Sequence, residues 1–337
     1  MADLLFPVII FLLASAVLIK SASMAVHSIL NLAQELRLTP FVTSFVIAGL
    51  VSVLPEFFVG VNSALEGVPE VGLGTLIGNN IVDLTLVLGI IAILGRVIPA
   101  QKKGILSTPP FLVAVGMPLV LMLDGNLSRI DGIILVSAAI IYFGWILYNQ
   151  PLREKKKKNV EWSKLFPDIG MFLVFVGLIF GSSHFVVESA VDIAHGLNVP
   201  EIFAGLFLIS IGAALPELTF SIQAVMARHK NVALGDVLGN VALDATLSIG
   251  VLAIIHPFDV DLIVIGISGL FMIFAAIMLT TFLDSEKRLT RRDGIALIGL
   301  FIVFVVLQFV LNAAIHIPVE HVETVAQAVE TAAATHP

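Results

Sequence analysis

Residues 41–65 read FVTSFVIAGLVSVLPEFFVGVNSAL, and residues 201–225 read EIFAGLFLISIGAALPELTFSIQAV. Each carries Leu-Pro-Glu midway along an apolar segment, at 54–56 and at 215–217. Proline removes a backbone donor and breaks the i to i−4 ladder of a helix. A carboxylate at bilayer depth costs about 2.5–3.5 kcal/mol on insertion scales. A chain that accepts both penalties twice, in matching contexts, is expected to use them.

The rest of the chain makes these segments membrane spans. Of its 337 residues, 58% are hydrophobic and 13% charged, with a mean hydropathy of +1.05. A soluble domain carries about 25% charged residues. The long apolar runs predict an all-α integral membrane protein with ten transmembrane helices. They lie near 4–33, 40–65, 71–95, 107–123, 130–148, 167–195, 201–227, 233–254, 260–282 and 293–315. The first and sixth exceed the bilayer's need and are expected to tilt or project. The first opens MADLL, with no basic flank, and is not read as a cleaved signal.

With the N-terminus outside, every basic residue except Lys20 and Arg129 faces the cytoplasm. The expected location is the cell membrane, multi-pass, with both termini outside. The linker 151–166, which contains REKKKKN, is then cytoplasmic, and the tail 316–337 is outside. The lipid bilayer is a partner. A net charge of −7 on such a chain does not point to nucleic acid, and none is expected. Cysteine is absent, which excludes disulfides and thiolate metal sites. No GxxxxGK, HExxH or GxSxG pattern occurs, so neither ATP-driven chemistry nor an enzyme is expected.

A shift of 161 residues lays 41–93 over 202–254 without a gap. Identical pairs include Pro55/Pro216, Glu56/Glu217, Gly78/Gly239, Asn79/Asn240, Asp83/Asp244 and Thr85/Thr246. Chance hydrophobic similarity would not preferentially match Pro, Glu, Asn and Asp. The chain thus divides into 1–150 and 167–315, with five spans each. Equivalent helices must cross in opposite directions, which predicts two inverted-topology five-helix repeats. In such folds the site lies near the midplane, where interrupted helices of the two halves meet.

Thr75, Asn79 and Asp83 are spaced by four, as are Asp236, Asn240 and Asp244. That spacing puts each trio on one helix face. Asp236, near the start of its span, reads equally as a helix-start residue or an ion-entry residue. Glu56, Glu217, Asp83 and Asp244 together cannot all stay charged in a low dielectric unless cations or protons join them. An oxygen-only donor set favours calcium, sodium, potassium or a proton over zinc or copper.

The segments GLVSVLPEFFVGVNSALEG…LGTLIGNNIVDLTLVLG and LISIGAALPELTFSIQAV…LGDVLGNVALDATLSIG resemble the two alpha-repeats of the calcium/cation antiporter superfamily. The nearer likeness is to its sodium–calcium exchanger branch, whose repeats read about GTSLPE and GSNxFN or GSNxFD. The resemblance implies calcium exchanged against sodium by alternating access, with no cofactor; a monomer is the expected working unit, although nothing in the sequence fixes the oligomeric state. It implies ion contacts at Glu56, Asp83, Glu217 and Asp244, with Asn79 and Asn240 at the serine positions of the GSN motifs. Ser52 and Ala213 fall where the family has hydroxyls before LPE, and Gly49 and Ser210 where it lends backbone carbonyls. Val53, Ala213 and Ala214 lack those hydroxyls, and Asp83 resembles the potassium-dependent branch. Proton or potassium coupling therefore stands beside sodium. His184 and Glu188, on the sixth span, are candidate gating residues. A cation channel and an intramembrane aspartyl hydrolase are the readings from other classes; the paired glutamates and the inverted repeat favour the antiporter.

Overall fold

The computed structural model describes residues 2–36, 38–39, 49–99, 108–148, 162–197 and 199–315. The basic run at 153–159, the tail from 316 and the first residues of the second predicted span lie outside them. The first half runs α1 (Ala2–Glu35), α2 (Gly49–Ser52), α3 (Leu54–Glu66) and α4 (Pro69–Val82). A π-helical turn (Asp83–Val87) leads to α5 (Leu88–Gly95), β1 (Val97–Pro99) and α6 (Thr108–Leu121). A 3-10 turn (Met122–Asp124), β2 (Asn126–Leu127) and α7 (Arg129–Tyr148) follow. The second half runs α8 (Trp162–Leu197), α9 (Glu201–Phe203), a π turn (Ala204–Ile209), α10 (Ser210–Ala213), α11 (Leu215–Met226) and α12 (Lys230–Leu243). A π turn (Asp244–Ser248), α13 (Ile249–Ile255), β3 (Phe258–Asp259), α14 (Leu262–Glu286), β4 (Arg288–Thr290) and α15 (Arg291–Ile315) complete it.

Among the described residues, eight helical stretches are long and apolar enough to cross a membrane, and Pro109–Asp124 is a shorter apolar helix. The chain is a mostly helical membrane protein. The sixth predicted span begins earlier than expected, at Trp162 rather than 167, so the helix takes up the end of the predicted linker. Pro167 sits in its first turns. Its missing N–H leaves the Ser163 carbonyl, four residues back in the same helix, without its helical donor.

α1 and α8 have 34 and 36 residues, roughly 50 Å each at 1.5 Å per residue. α1 buries Phe11, Ala14, Leu18, Ala22 and Ala25, one stripe at helical spacing. α8 answers with Ile179, Val186, Ala190 and Ile193, while Leu12, Val17, Leu173 and Val174 stay exposed, as lipid-facing residues would. Small residues let the two backbones approach closely. The pair forms a hydrophobic cluster with Val51, Val59, Val71, Ala204 and Ile209, separate from the larger core of the other helices.

The two halves interlock. β1 pairs antiparallel with β4, and β2 with β3, so each ribbon ties a loop of one half to a loop of the other. α7 and α15 start with the same device. Ser128 Oγ donates to Asp131 Oδ2 (2.6 Å) and Thr290 Oγ1 to Asp293 Oδ2 (2.7 Å), a variant of the capping box. A glycine follows each acid. A Cβ on Gly132 would stand 2.6 Å from the carbonyl oxygen of Gly250, and one on Gly294 would stand 2.7 Å from that of Gly89. Thus α7 crosses α13 and α15 crosses α5 backbone against backbone.

Candidate cation site

Both LPE motifs interrupt their helices. α2 stops at Ser52 and α3 starts at Leu54, with Val53 at φ −68°, ψ −14°. α10 stops at Ala213 and α11 starts at Leu215, with Ala214 at φ −72°, ψ −8°. Pro55 and Pro216 have no N–H, so the carbonyls four residues back, of Val51 and Gly212, lose their helical donors. Glu56 and Glu217 fall in the first turns of α3 and α11, where the helix dipole favours negative charge. Both side chains are fully buried, and none of their four carboxylate oxygens has a hydrogen-bond partner.

Asn79 and Asn240 are buried and donate across the two halves. Asn79 Nδ2 donates to Asp244 Oδ2 (3.2 Å), and Asn240 Nδ2 donates to Asp83 Oδ2 (2.9 Å). Each asparagine therefore holds the aspartate of the other repeat. The remaining oxygens of all four side chains, Oδ1 in each case, have no partner. Asp83 and Asp244 each open a π turn. Leu88 N–H bonds the carbonyl of Asp83, and Ile249 N–H that of Asp244, five residues back. Thr85 and Thr246 inside these turns return their hydroxyls to the Ile81 and Ala242 carbonyls, each at 2.5 Å. Such bulges concentrate at functional sites.

These acids are close enough to interact electrostatically: Glu56 with Asp244 and Asp83, Glu217 with Glu56 and Asp83. Yet among the described residues no three His, Asp or Glu side chains gather tightly enough to close on one metal ion. The crossed asparagine amides keep the two aspartates engaged with amide groups rather than with a shared point. The chemistry of the cluster is that of hard-cation ligands: buried oxygens, carboxylate and amide, lacking donors.

A cavity of about 380 Å³ reaches this cluster from one end of the bundle, where α11 ends and α12 begins. Ser23 and His27 of α1, Ser52, Glu217, Gln223 and Asp236 line it. The sequence equivalent on the opposite side is closed. Asn62 of α3, which corresponds to Gln223, donates to Ser183 Oγ (2.6 Å) and to the Phe180 carbonyl (3.0 Å) of α8. His184 Nδ1 lies 2.6 Å from Glu66 Oε1 beside it, and exposed Glu188 lies within electrostatic range of Glu66. His184 thus bridges α8 to α3, and Lys20 is exposed on α1.

The remaining predicted contacts are placed as follows. Ser52 is buried and gives its hydroxyl to the Gly49 carbonyl (3.2 Å), which also accepts from Val53 N–H (3.2 Å). The Gly49 carbonyl is therefore fully engaged by the protein, because a carbonyl oxygen offers two lone pairs. The Ser210 carbonyl accepts from Ala214 N–H (3.0 Å), and Ala213 is buried. Two further buried residues stand out, Asn80, which the sequence did not single out, and Asp236. Asn80 has neither amide atom bonded, and Asp236 has neither oxygen bonded. The helix-start reading of Asp236 is overturned: α12 begins at Lys230 and its first turn carries no acid. A position in the second turn does not reach the free N–H groups of the helix start.

The family model for "Sodium/calcium exchanger protein" matches residues 6–148 and 168–310. The chain is 22% identical over 345 residues to the sodium/calcium exchanger MaX1 of Methanosarcina acetivorans, covering 89% of this chain and 98% of the relative. The fold is shared with the sodium-calcium exchanger NCX_Mj (TM-score 0.66, 21% identity, 90% of this chain, 99% of that one). It is shared too with the H+/Ca2+ exchanger CAX (TM-score 0.77, 18% identity, 91% and 85%). The match runs through both LPE helices and both Asn–Asp stripes, so this chain belongs to the sodium/calcium exchanger family of membrane cation antiporters.

Proposed function

We propose that this protein is a secondary active antiporter that exchanges calcium against sodium by alternating access. In this reading ten spans form two inverted five-helix repeats, 1–150 and 167–315, joined by a cytoplasmic linker at 151–166, with both termini outside. The observation that carries it is the reciprocal bonding of Asn79 to Asp244 and Asn240 to Asp83, beside two glutamates whose oxygens lack partners. An arrangement that uses the same side chain from each half in the other's service fits a site shared by two oppositely inserted repeats.

Glu56 and Glu217 supply the charge for calcium, and Asp83, Asp244, Asn79 and Asn240 supply further oxygens. Calcium takes six to eight oxygen ligands at about 2.3–2.6 Å, so binding draws the glutamates and amide oxygens inward. Sodium competes for the same oxygens, and competition at one site couples the two fluxes. An unoccupied cluster of buried acids repels itself, which disfavours closure without cargo and limits leak. The α1/α8 pair, packed through its own small-residue interface, slides over the ion cluster to expose one side at a time.

The test is calcium uptake into proteoliposomes under separately imposed sodium, potassium and proton gradients. Uptake driven by sodium alone supports the proposal. Uptake driven by a proton gradient, with sodium inert, replaces sodium by protons as the coupling ion. Unitary currents without a requirement for an ion on the far side assign a channel instead. Glu56→Gln and Glu217→Gln are each expected to lower calcium flux about 100-fold or more, because an anionic ligand is lost from a buried charge cluster, while the protein still elutes as a folded species.

A further inference from the structure

Asp236 breaks the symmetry of the two halves. Its counterpart under the 161-residue shift is Thr75, whose hydroxyl is satisfied locally by the Val71 carbonyl at 2.8 Å. Asp236 has no such outlet. It is fully buried, and neither carboxylate oxygen has a hydrogen-bond partner. The nearest hydroxyl, that of Ser52, is within its reach but is shared with the Gly49 carbonyl at 3.2 Å. Lys230, one and a half turns earlier on the same helix, is occupied by the Gly95 and Val97 carbonyls at 2.7 and 3.0 Å.

A carboxylate is buried unpaired only at a large cost unless a cation or proton joins it. Asp236 nevertheless lines the cavity, next to Glu217 and Ser52. Around it stand Asp83 and Glu217, within electrostatic range, and His27 across the cavity on α1. Two carboxylates and a hydroxyl that line this cavity form an oxygen donor set suited to a hard divalent cation.

We propose that Asp236, with Glu217 and Ser52, forms a one-sided capture site for a calcium-class divalent cation at the end of this cavity. The ion is held first between Asp236 and Glu217 and then passes inward, Glu217 being common to both positions. Because the opposite half has Thr75 in place of Asp236, this capture site exists on one face of the transporter only. The protein then has different apparent calcium affinities on its two faces without any difference at its centre. This inference rests on the antiport reading above.

The experiment is calcium titration of exchange in right-side-out and inside-out membrane vesicles. Asp236→Asn is expected to raise half-saturating calcium on the cavity side about tenfold, and on the other side less than about twofold, as loss of one charged ligand implies. Asp236→Thr, which copies the other half, is expected to make the two faces alike. Equal shifts on both faces, or none, overturn the capture site. If Glu217→Gln abolishes exchange while Asp236→Asn changes neither face, the capture site fails and antiport stands. If Glu217→Gln exchanges normally, Glu217 is no ion ligand and the capture site fails with it; if the unaltered protein exchanges no calcium, antiport itself fails. Failure of both the Asn and the Thr variant to fold assigns Asp236 to the architecture of α12 and overturns the proposal.

Discussion

The two crevices beside the ion cluster come from equivalent sequence and are not in the same state. On one side, α3 is bound to α8: Asn62 reaches Ser183 and Phe180, and Glu66 reaches His184. On the other, Gln223 of α11 and Ser23 of α1 face each other across a cavity that ends at Glu217 and Asp236. The repeat makes Asn62 the counterpart of Gln223 and His184 the counterpart of Ser23. The twins of Ser183 and Glu66 are Ala22 and Ala227, which carry no polar group, so neither closing contact can be repeated on the cavity side. The asymmetry therefore lies in the partners that α1 and α8 meet on each side, and in Asp236 beside the ion cluster.

The comparison is broken or sharpened by labelling. The chain has no cysteine, so single cysteines need no background. Gln223→Cys is expected to react with a water-soluble thiol reagent about 100-fold faster than Asn62→Cys, in line with opening free energies of a few kcal/mol. Equal rates would remove the one-sided state. Next in size is the crossed pairing. Asn240→Leu strips the donor from Asp83 Oδ2 in a buried site and is expected to weaken calcium binding about tenfold or more, measured by calorimetry. Asn79→Leu is expected to do the same through Asp244, and a different result for the twin would show that the two halves contribute unequally.

Smaller effects test the closed side itself. Asn62→Ala removes two hydrogen bonds, about 1 kcal/mol each, and is expected to raise labelling on its own face several-fold by a population shift. His184→Ala removes a partly exposed contact, worth about 0–1 kcal/mol, and is expected to change that labelling about twofold. If His184→Ala exceeded Asn62→Ala, the His184–Glu66 contact and not the amide would be the main closure.

The breaks at LPE and the Asn–Asp stripes could be read from sequence because each has a local signature: a missing N–H at Pro55 and Pro216, and a spacing of four. The π turns at Asp83 and Asp244 could not, because one extra residue in a turn leaves no mark on an aliphatic run. The crossed pairing of Asn79 and Asn240 depends on which helix meets which, a tertiary fact. The burial of Asp236 follows from α2 lying against α12; its position near a span's start left helix-start and ion-entry roles equal, and only the first is removed by α12 beginning at Lys230. The short ribbons β1–β4 and β2–β3 were hidden for the same reason: their partners lie in the other half.

The most direct test is a crystal structure grown with strontium, whose anomalous signal marks a calcium-like ion. The prediction is one ion with ligand oxygens from Glu56 and Glu217 at about 2.3–2.7 Å, so that both halves coordinate it. An ion held by residues of one half alone, or none among these side chains under conditions that support transport, would contradict the shared centre.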